Sequence, residues 1–167
     1  LYPLVNFGGI TDNFWYQLGF EDANWLGTGS QVKAYYLNNQ GRHNFQLFYR
    51  VPYLAGSRWG FSVSAFHFAS QEPFYFPEGS VNYNYDNTSL GATVTYELEI
   101  DHNLELGGFY FIEQHTRLPN QEVFNSPESL QNPKWLYKLI HRIRKLNYHY
   151  FYLDGWSNTF RYETVYN

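Results

Sequence analysis

Ser89-Leu90-Gly91-Ala92-Thr93-Val94-Thr95-Tyr96-Glu97 places small and polar residues on one side of an extended chain and Leu90, Ala92, Val94 and Tyr96 on the other. Strict alternation of this kind marks a β-strand with two chemically different faces. The same period recurs on both sides of it. Trp59, Phe61, Val63 and Ala65 oppose Gly60, Ser62 and Ser64, and Leu104, Leu106, Tyr110 and Ile112 oppose Glu105, Gly107 and Glu113. Earlier, Phe14, Tyr16, Leu18 and Phe20 stand against Gln17, Gly19 and Glu21, Val32, Ala34 and Tyr36 against Gln31, Lys33 and Tyr35, and Phe45, Leu47, Tyr49 and Val51 against Asn44, Gln46 and Arg50. A late pair, near residues 147–153 and 158–166, repeats the theme, and a short opening segment covers residues 4–9. Together these give about eight or nine strands, an all-β antiparallel chain.

Composition narrows what such a sheet can be. Of 167 residues, 22% are aromatic and only 16% charged, with no Cys and no Met, not even at position 1. The chain therefore reads as an excised or processed piece, and thiolate chemistry is excluded. The mean hydropathy of −0.51 leaves no apolar run long enough for a membrane-spanning helix. So much aromatic surface also excludes a disordered chain. A net charge of −4 argues against nucleic acid as a partner.

Short links (Gly27-Thr28-Gly29, Ala55-Gly56-Ser57, Asp101-His102) alternate with longer ones: residues 39–43, about 18 residues from Ala69 to Asn87, and about 30 from Thr116 to Leu146. A meander with its long loops at one end is the simplest geometry for that pattern, and transmembrane β-barrels are built this way. The polar face of Gly, Ser, Thr, Gln and isolated charges suits a hydrated lumen. Strand lengths approach the 9–11 residues of a tilted spanning strand. Trp25, Tyr53, Trp59 and Tyr96 fall near the short turns, and Tyr35, Tyr36, Phe66, Phe68, Tyr110 and Phe111 near the long loops, as two interfacial girdles would require. A soluble sandwich or lipocalin-like ligand binder also alternates. It would instead turn Phe14, Leu47, Val63 and Val94 inward.

One stretch breaks the period. Asn132-Pro133 offers a helix cap and first turn, and Leu136, Leu139, Ile140 and Ile143 recur at helical spacing among Lys134, Lys138, Arg142 and Lys145. A short basic amphipathic helix over residues 132–145, inside the longest loop, is the expectation. Catalytic motifs are missing. His43, His67, His102, His115, His141 and His149 show no metal-ligand spacing on a shared element, and Glu105 and Glu113 lie eight residues apart on one strand face. No catalytic residue, cofactor or metal site is expected.

Asp22-Ala23-Asn24-Trp25-Leu26-Gly27-Thr28-Gly29 resembles the D-N-W-L-G-T-G segment in the barrel of BamA/TamA-type outer-membrane insertases, the bacterial surface antigen superfamily. Its distinctive residues are Asp22, Asn24, Trp25, Leu26, Gly27 and Gly29. Val51-Pro52-Tyr53-Leu54 followed by Trp59-Gly60-Phe61-Ser62 resembles the family's N-P-Y-F region, with Val51 in place of the usual Asn. The resemblance covers nearly the whole chain and falls on the N-terminal half of a sixteen-stranded barrel, so residues 1–167 would form a partial outer-membrane barrel domain. It implies a Gram-negative outer-membrane protein that inserts or translocates β-proteins. A first strand loosely paired to the last would act as a lateral gate, and here that strand is Leu4, Val5, Asn6, Phe7, Gly8 and Gly9. The implied partners are outer-membrane lipid, nascent β-barrel substrates, and the remaining barrel strands or further chains that close the sheet. The family's Val-Arg-Gly-Phe-type motif, its POTRA domains and a closing strand are not found in these residues. The same barrel type also anchors patatin-like phospholipases, and that alternative stays open here.

Overall fold

Backbone pairing runs without a break from the first strand to the last. The computed structural model describes residues 2–9, 14–119, 126–151 and 153–167. Nine strands form one antiparallel sheet in chain order: β1 (Tyr2–Gly8), β2 (Trp15–Trp25), β3 (Ser30–Asn39), β4 (Arg42–Val51), β5 (Trp59–Phe76), β6 (Gly79–Glu99), β7 (His102–Arg117), β8 (Ser129–Tyr148) and β9 (Leu153–Tyr166). Among the described residues, β1 and β9 have a neighbour on one side only, so the sheet is open.

Register carries the two-residue period across the whole sheet. One row of Cα partners links Phe20, Ala34, Leu47, Ala65, Leu90, Tyr110, Trp135 and Tyr166 through seven consecutive strand pairs. The next row inward in β5 and β6 pairs Ser64 with Gly91 and Ser62 with Thr93. One face is thus apolar from β2 to β9, and the other mixes small, polar and charged residues with interspersed rings such as Tyr35 and Phe109.

The burial of these faces decides between the two barrel types. Leu47, Val63 and Val94 are exposed, as is Phe14, whereas Ser89 and Thr93 are each only 5% exposed. A water-soluble core would show the reverse. Small residues on the inner face are covered by large neighbours: a Cβ on Gly91 would fall 1.9 Å from the Phe109 ring, and one on Gly19 would fall 2.6 Å from Tyr35. The soluble ligand-binder alternative is excluded by this arrangement. The apolar face is the outer one, made for lipid.

The expected helix over residues 132–145 is not formed; these residues lie in the middle of β8. Their sequence satisfies both periods. Leu136, Leu139, Ile140 and Ile143 fit a helical stripe, but Trp135, Tyr137, Leu139 and Ile143 also alternate with Lys134, Lys138 and Arg142. A full register with β7 from His102↔Ile143 to Thr116↔Ser129 settles the choice. Pro133 lies within β8 opposite Ile112 of β7.

The two longest expected loops are likewise mostly strand. β5 and β6 stay paired up to Phe76↔Gly79, leaving Pro77 and Glu78 as the turn. Between β7 and β8 only residues 118–128 connect the strands, and the strand expected near residues 147–153 is instead the end of β8, a turn and the start of β9. The extended hairpins kept their period but exchanged their faces. Above Thr88 the outer face carries Asp86, Asn84, Gln71 and Gln114, while Phe68, Phe74, Val81, Tyr83 and Tyr85 turn inward. Val81 and Tyr83 are the most buried apolar side chains described, at 0% and 1% exposure. Tyr83 donates its hydroxyl to the Pro127 carbonyl (2.7 Å), and Arg117 reaches the Ser126 carbonyl (3.1 Å) and hydroxyl (2.9 Å). The loop end is thereby folded onto the inner aromatic cluster. This exchange of faces marks where the strands leave lipid for water.

Leu47 and Gln46 are chain neighbours on opposite faces. Leu47→Arg places a charge in the lipid band and should cost about 2–4 kcal/mol, while Gln46→Arg should change stability by less than about 1 kcal/mol. Urea unfolding of the protein folded into lipid vesicles measures both, and equal effects would refute the assigned faces.

Candidate functional site

Two features invite function in a chain without catalytic motifs: a turn with unusual chemistry and an edge strand with an open side. The turn is the Asp22–Gly29 segment. A bulge between Asp22 and Trp25 inserts one extra residue into β2. It shifts the odd-numbered Trp25 onto the outer face, where its ring lies 6.2 Å from that of Phe20. Each polar residue of the motif then has a task. Asp22 accepts the Asn24 amide (2.9 Å), the Asn24 side-chain oxygen accepts the Gly29 amide (2.7 Å), and the Thr28 hydroxyl donates to the Trp25 carbonyl (2.7 Å). Gly27 and Gly29 adopt φ of +72° and +73°, conformations that a side chain disfavours. Leu26 holds φ +53° without being glycine and is exposed at the tip. The motif is a self-contained hydrogen-bonded turn that aims Trp25 outward.

The edge is β1. All seven of its residues pair with β2, from Tyr2↔Glu21 to Gly8↔Trp15, so Leu4, Val5, Asn6, Phe7 and Gly8 lie in the strand. Gly9 follows it with φ +98°. Gly8 stays paired despite its low strand propensity, and a Cβ there would press on the Trp15 ring at 3.0 Å. Val5 and Phe7 are strongly exposed on the outer face. Residues 10–13, which follow Gly9, lie outside the described residues.

Inside the sheet, β7 and β8 carry a charge ladder that sequence reading left unconnected. Glu105 receives Lys138 Nζ (2.7 Å) and Arg142 Nη1 (2.9 Å), and Glu113 receives Lys134 Nζ (2.5 Å). Lys138 also lies 4.8 Å above the centre of the Phe109 ring. The signal was present: cations at 134, 138 and 142 run antiparallel to carboxylates at 113 and 105. It was missed because residues 132–145 read as a helix, which removes the partner strand. No acid/base chemistry follows, since both carboxylates are tied to cations.

The interfacial aromatics are placed as follows. Trp59 and Tyr96 are cross-strand partners with ring centres 4.6 Å apart, at the short-turn end of the outer face. Tyr53 lies in the β4–β5 turn, and its hydrogen bond to Glu97 raises its hydroxyl above the ordinary tyrosine pKa. Tyr110 faces outward beside Trp135, ring centres 4.9 Å apart. Tyr36 also faces outward, and its hydroxyl meets His43 Nδ1 at 2.6 Å. The remaining upper aromatics correct the expectation. Tyr35, Phe66, Phe68 and Phe111 have inward parity, so they lie on the lumenal face rather than in an outer girdle.

Residues 24–166 match the Omp85 superfamily domain. The chain belongs to the Omp85 superfamily. Among solved structures it is similar to BamA from Haemophilus ducreyi lacking POTRA domains 1-3, at 17% identity and a TM-score of 0.61 over 98% of this chain. The chain spans 33% of that structure's length, and an identity this low shows the fold alone. No curated protein matches. As an Omp85 β-barrel chain it resides in the bacterial outer membrane, with its apolar face toward lipid and its charge ladder in the lumen.

Glu105 is the anchor of that ladder, its side chain 14% exposed. Glu105→Ala strands two lumenal cations and should destabilise the barrel by about 1.5–3 kcal/mol. Lys33 pairs with Glu21 where the side chains are more exposed, at 35% and 40%, and Lys33→Ala should cost only about 0–1 kcal/mol. Gel-shift melting of the folded form, compared between the two variants, measures the difference.

Proposed function

We propose that this chain forms the gate-bearing half of an outer-membrane insertase or translocase, and that β1 receives β-strands of client proteins. The supporting observation is the β1 edge, paired to β2 along its whole length and, among the described residues, without a neighbour on its other side. A row of backbone N–H and C=O groups facing lipid costs several kcal/mol per unsatisfied group, so an edge of this kind recruits a strand. Membership of the Omp85 superfamily supports the reading. So does Gly9, whose positive φ ends the strand and leaves a short edge for exchange. The function needs no catalytic step, because strand addition itself is downhill.

The same requirement applies to β9, whose residues are mostly exposed. Its free side calls for further barrel strands, from the same polypeptide or from other chains. The remaining partners are lipid on the outer face and unfolded β-barrel proteins at the gate. Substrate choice would rest on backbone pairing and on apolar side chains that match Val5 and Phe7.

Photo-crosslinking in cells tests the gate. A photoreactive residue at Val5 or Phe7 of the full-length protein should capture client β-barrel proteins, and one at Thr95 in the middle of β6 should not. Equal capture at all three positions, or none at β1, would overturn the reading.

A further inference from the structure

We propose that His102 and His141 form a two-imidazole site for a divalent transition-metal ion (Cu²⁺, Ni²⁺ or Zn²⁺) on the outer face near the short-turn end of the barrel. In the chain these histidines are 39 residues apart. The β7–β8 register pairs His102 with Ile143 and Leu104 with His141, which makes the two histidines diagonal neighbours on one face. Their rings lie 4.7 Å apart, tilted by 51°, and their Nε2 atoms converge to 2.5 Å.

Two imidazole nitrogens that close together cannot both carry a proton or both be bare. Either one proton is shared between two lone pairs, or a metal ion takes its place. In a metal complex the two nitrogens would stand about 3 Å apart or slightly more, each about 2.0–2.1 Å from the ion. Reaching that separation requires only small side-chain rotations. Both residues are half-buried, so the rings retain that freedom. The backbone beneath them is held by the β-ladder and by the Arg144 amide, which donates to the Asp101 carbonyl at 2.7 Å. The donor spacing is therefore preset, and only the rings need to adjust.

The donor set decides the ion. Two neutral nitrogen ligands suit Cu²⁺, Ni²⁺ and Zn²⁺, whereas Ca²⁺ and Mg²⁺ require oxygen cages. Among the described residues no group of three or more His, Cys, Asp and Glu could hold a metal ion. The remaining positions of a bound ion thus fall to water or to phosphate oxygens of lipid headgroups, and the site is an open one. Affinity should follow the order Cu²⁺ above Ni²⁺ and Zn²⁺.

Titration of the full-length protein in detergent micelles with Cu²⁺, Ni²⁺, Zn²⁺ and Ca²⁺ tests this by calorimetry, with Cu²⁺ electron spin resonance to count nitrogen ligands. Losing a group that merely orients a ligand costs about 10–100-fold in affinity, so losing a ligand should cost no less. His102→Asn and His141→Asn should each weaken Cu²⁺ and Ni²⁺ binding by at least about tenfold and reduce the nitrogen count by one. His149→Asn, at the β8–β9 turn beside Asp154, should leave binding unchanged. Heat-modified gel migration confirms that each variant is folded. Binding that survives both substitutions, or a wild type that binds Ca²⁺ as well as Cu²⁺, would overturn the site.

Discussion

In hydrocarbon every backbone N–H and C=O must find a partner within the protein, and the rest of this structure depends on that requirement. It explains why chain neighbours are sheet neighbours from β1 to β9 with no crossover. Antiparallel pairing of consecutive strands satisfies each group with the shortest links. The two irregularities, at Asp22/Trp25 and Glu97/Glu99, both fall beside short turns, where water can serve as partner. Among the described residues β1 and β9 each leave one side unpaired, and the same requirement applies to those groups wherever they meet lipid.

Side-chain chemistry then follows from which solvent each face meets. Within the lipid band, Leu47, Val63, Leu90 and Val94 face out and stay exposed, while Ser89 and Thr93 are buried and Gly91 lies beneath the Phe109 ring. Beyond Thr88 the faces exchange. Asp86 and Asn84 meet water, and Phe74, Tyr83 and His115 form an edge-to-face aromatic cluster capped by the Ser126–Pro127 loop end. The lumenal charges on β7 and β8 pair across a single strand pair, three cations on two carboxylates. Glu105 with Lys138 and Arg142, and Glu113 with Lys134, combine charge with register and so oppose a slip of β8 by one residue.

Much of this was legible in the residues. Alternation over Trp59–Ala65 and Ser89–Glu97 identified the spanning strands and their two faces. The Asp22–Gly29 motif resembled the superfamily's segment, and its Asn24, Thr28 and Gly29 build one hydrogen-bonded turn. Three things were misread, each for a physical reason. Residues 132–145 satisfy two periods at once, and only the facing strand β7 selects between them. Residues 69–87 hold three Asn, two Pro and a Gly and look like a loop, yet all but Pro77 and Glu78 pair, because their inner aromatics have a core to join. Phe66, Phe68 and Phe111 sit at strand ends, as a girdle would, but parity turns them inward.

The sequence by itself determined the strands from β1 to β7, their lipid-facing and lumenal faces, and the turn motif, because each is written in a local two-residue period or a short run. Only the tertiary structure decided the state of β8, the joining of Glu105 to Lys138 and Arg142, and the meeting of His102 with His141. Those contacts depend on register between strands, which is set by the sum of all cross-strand pairs rather than by any residue alone.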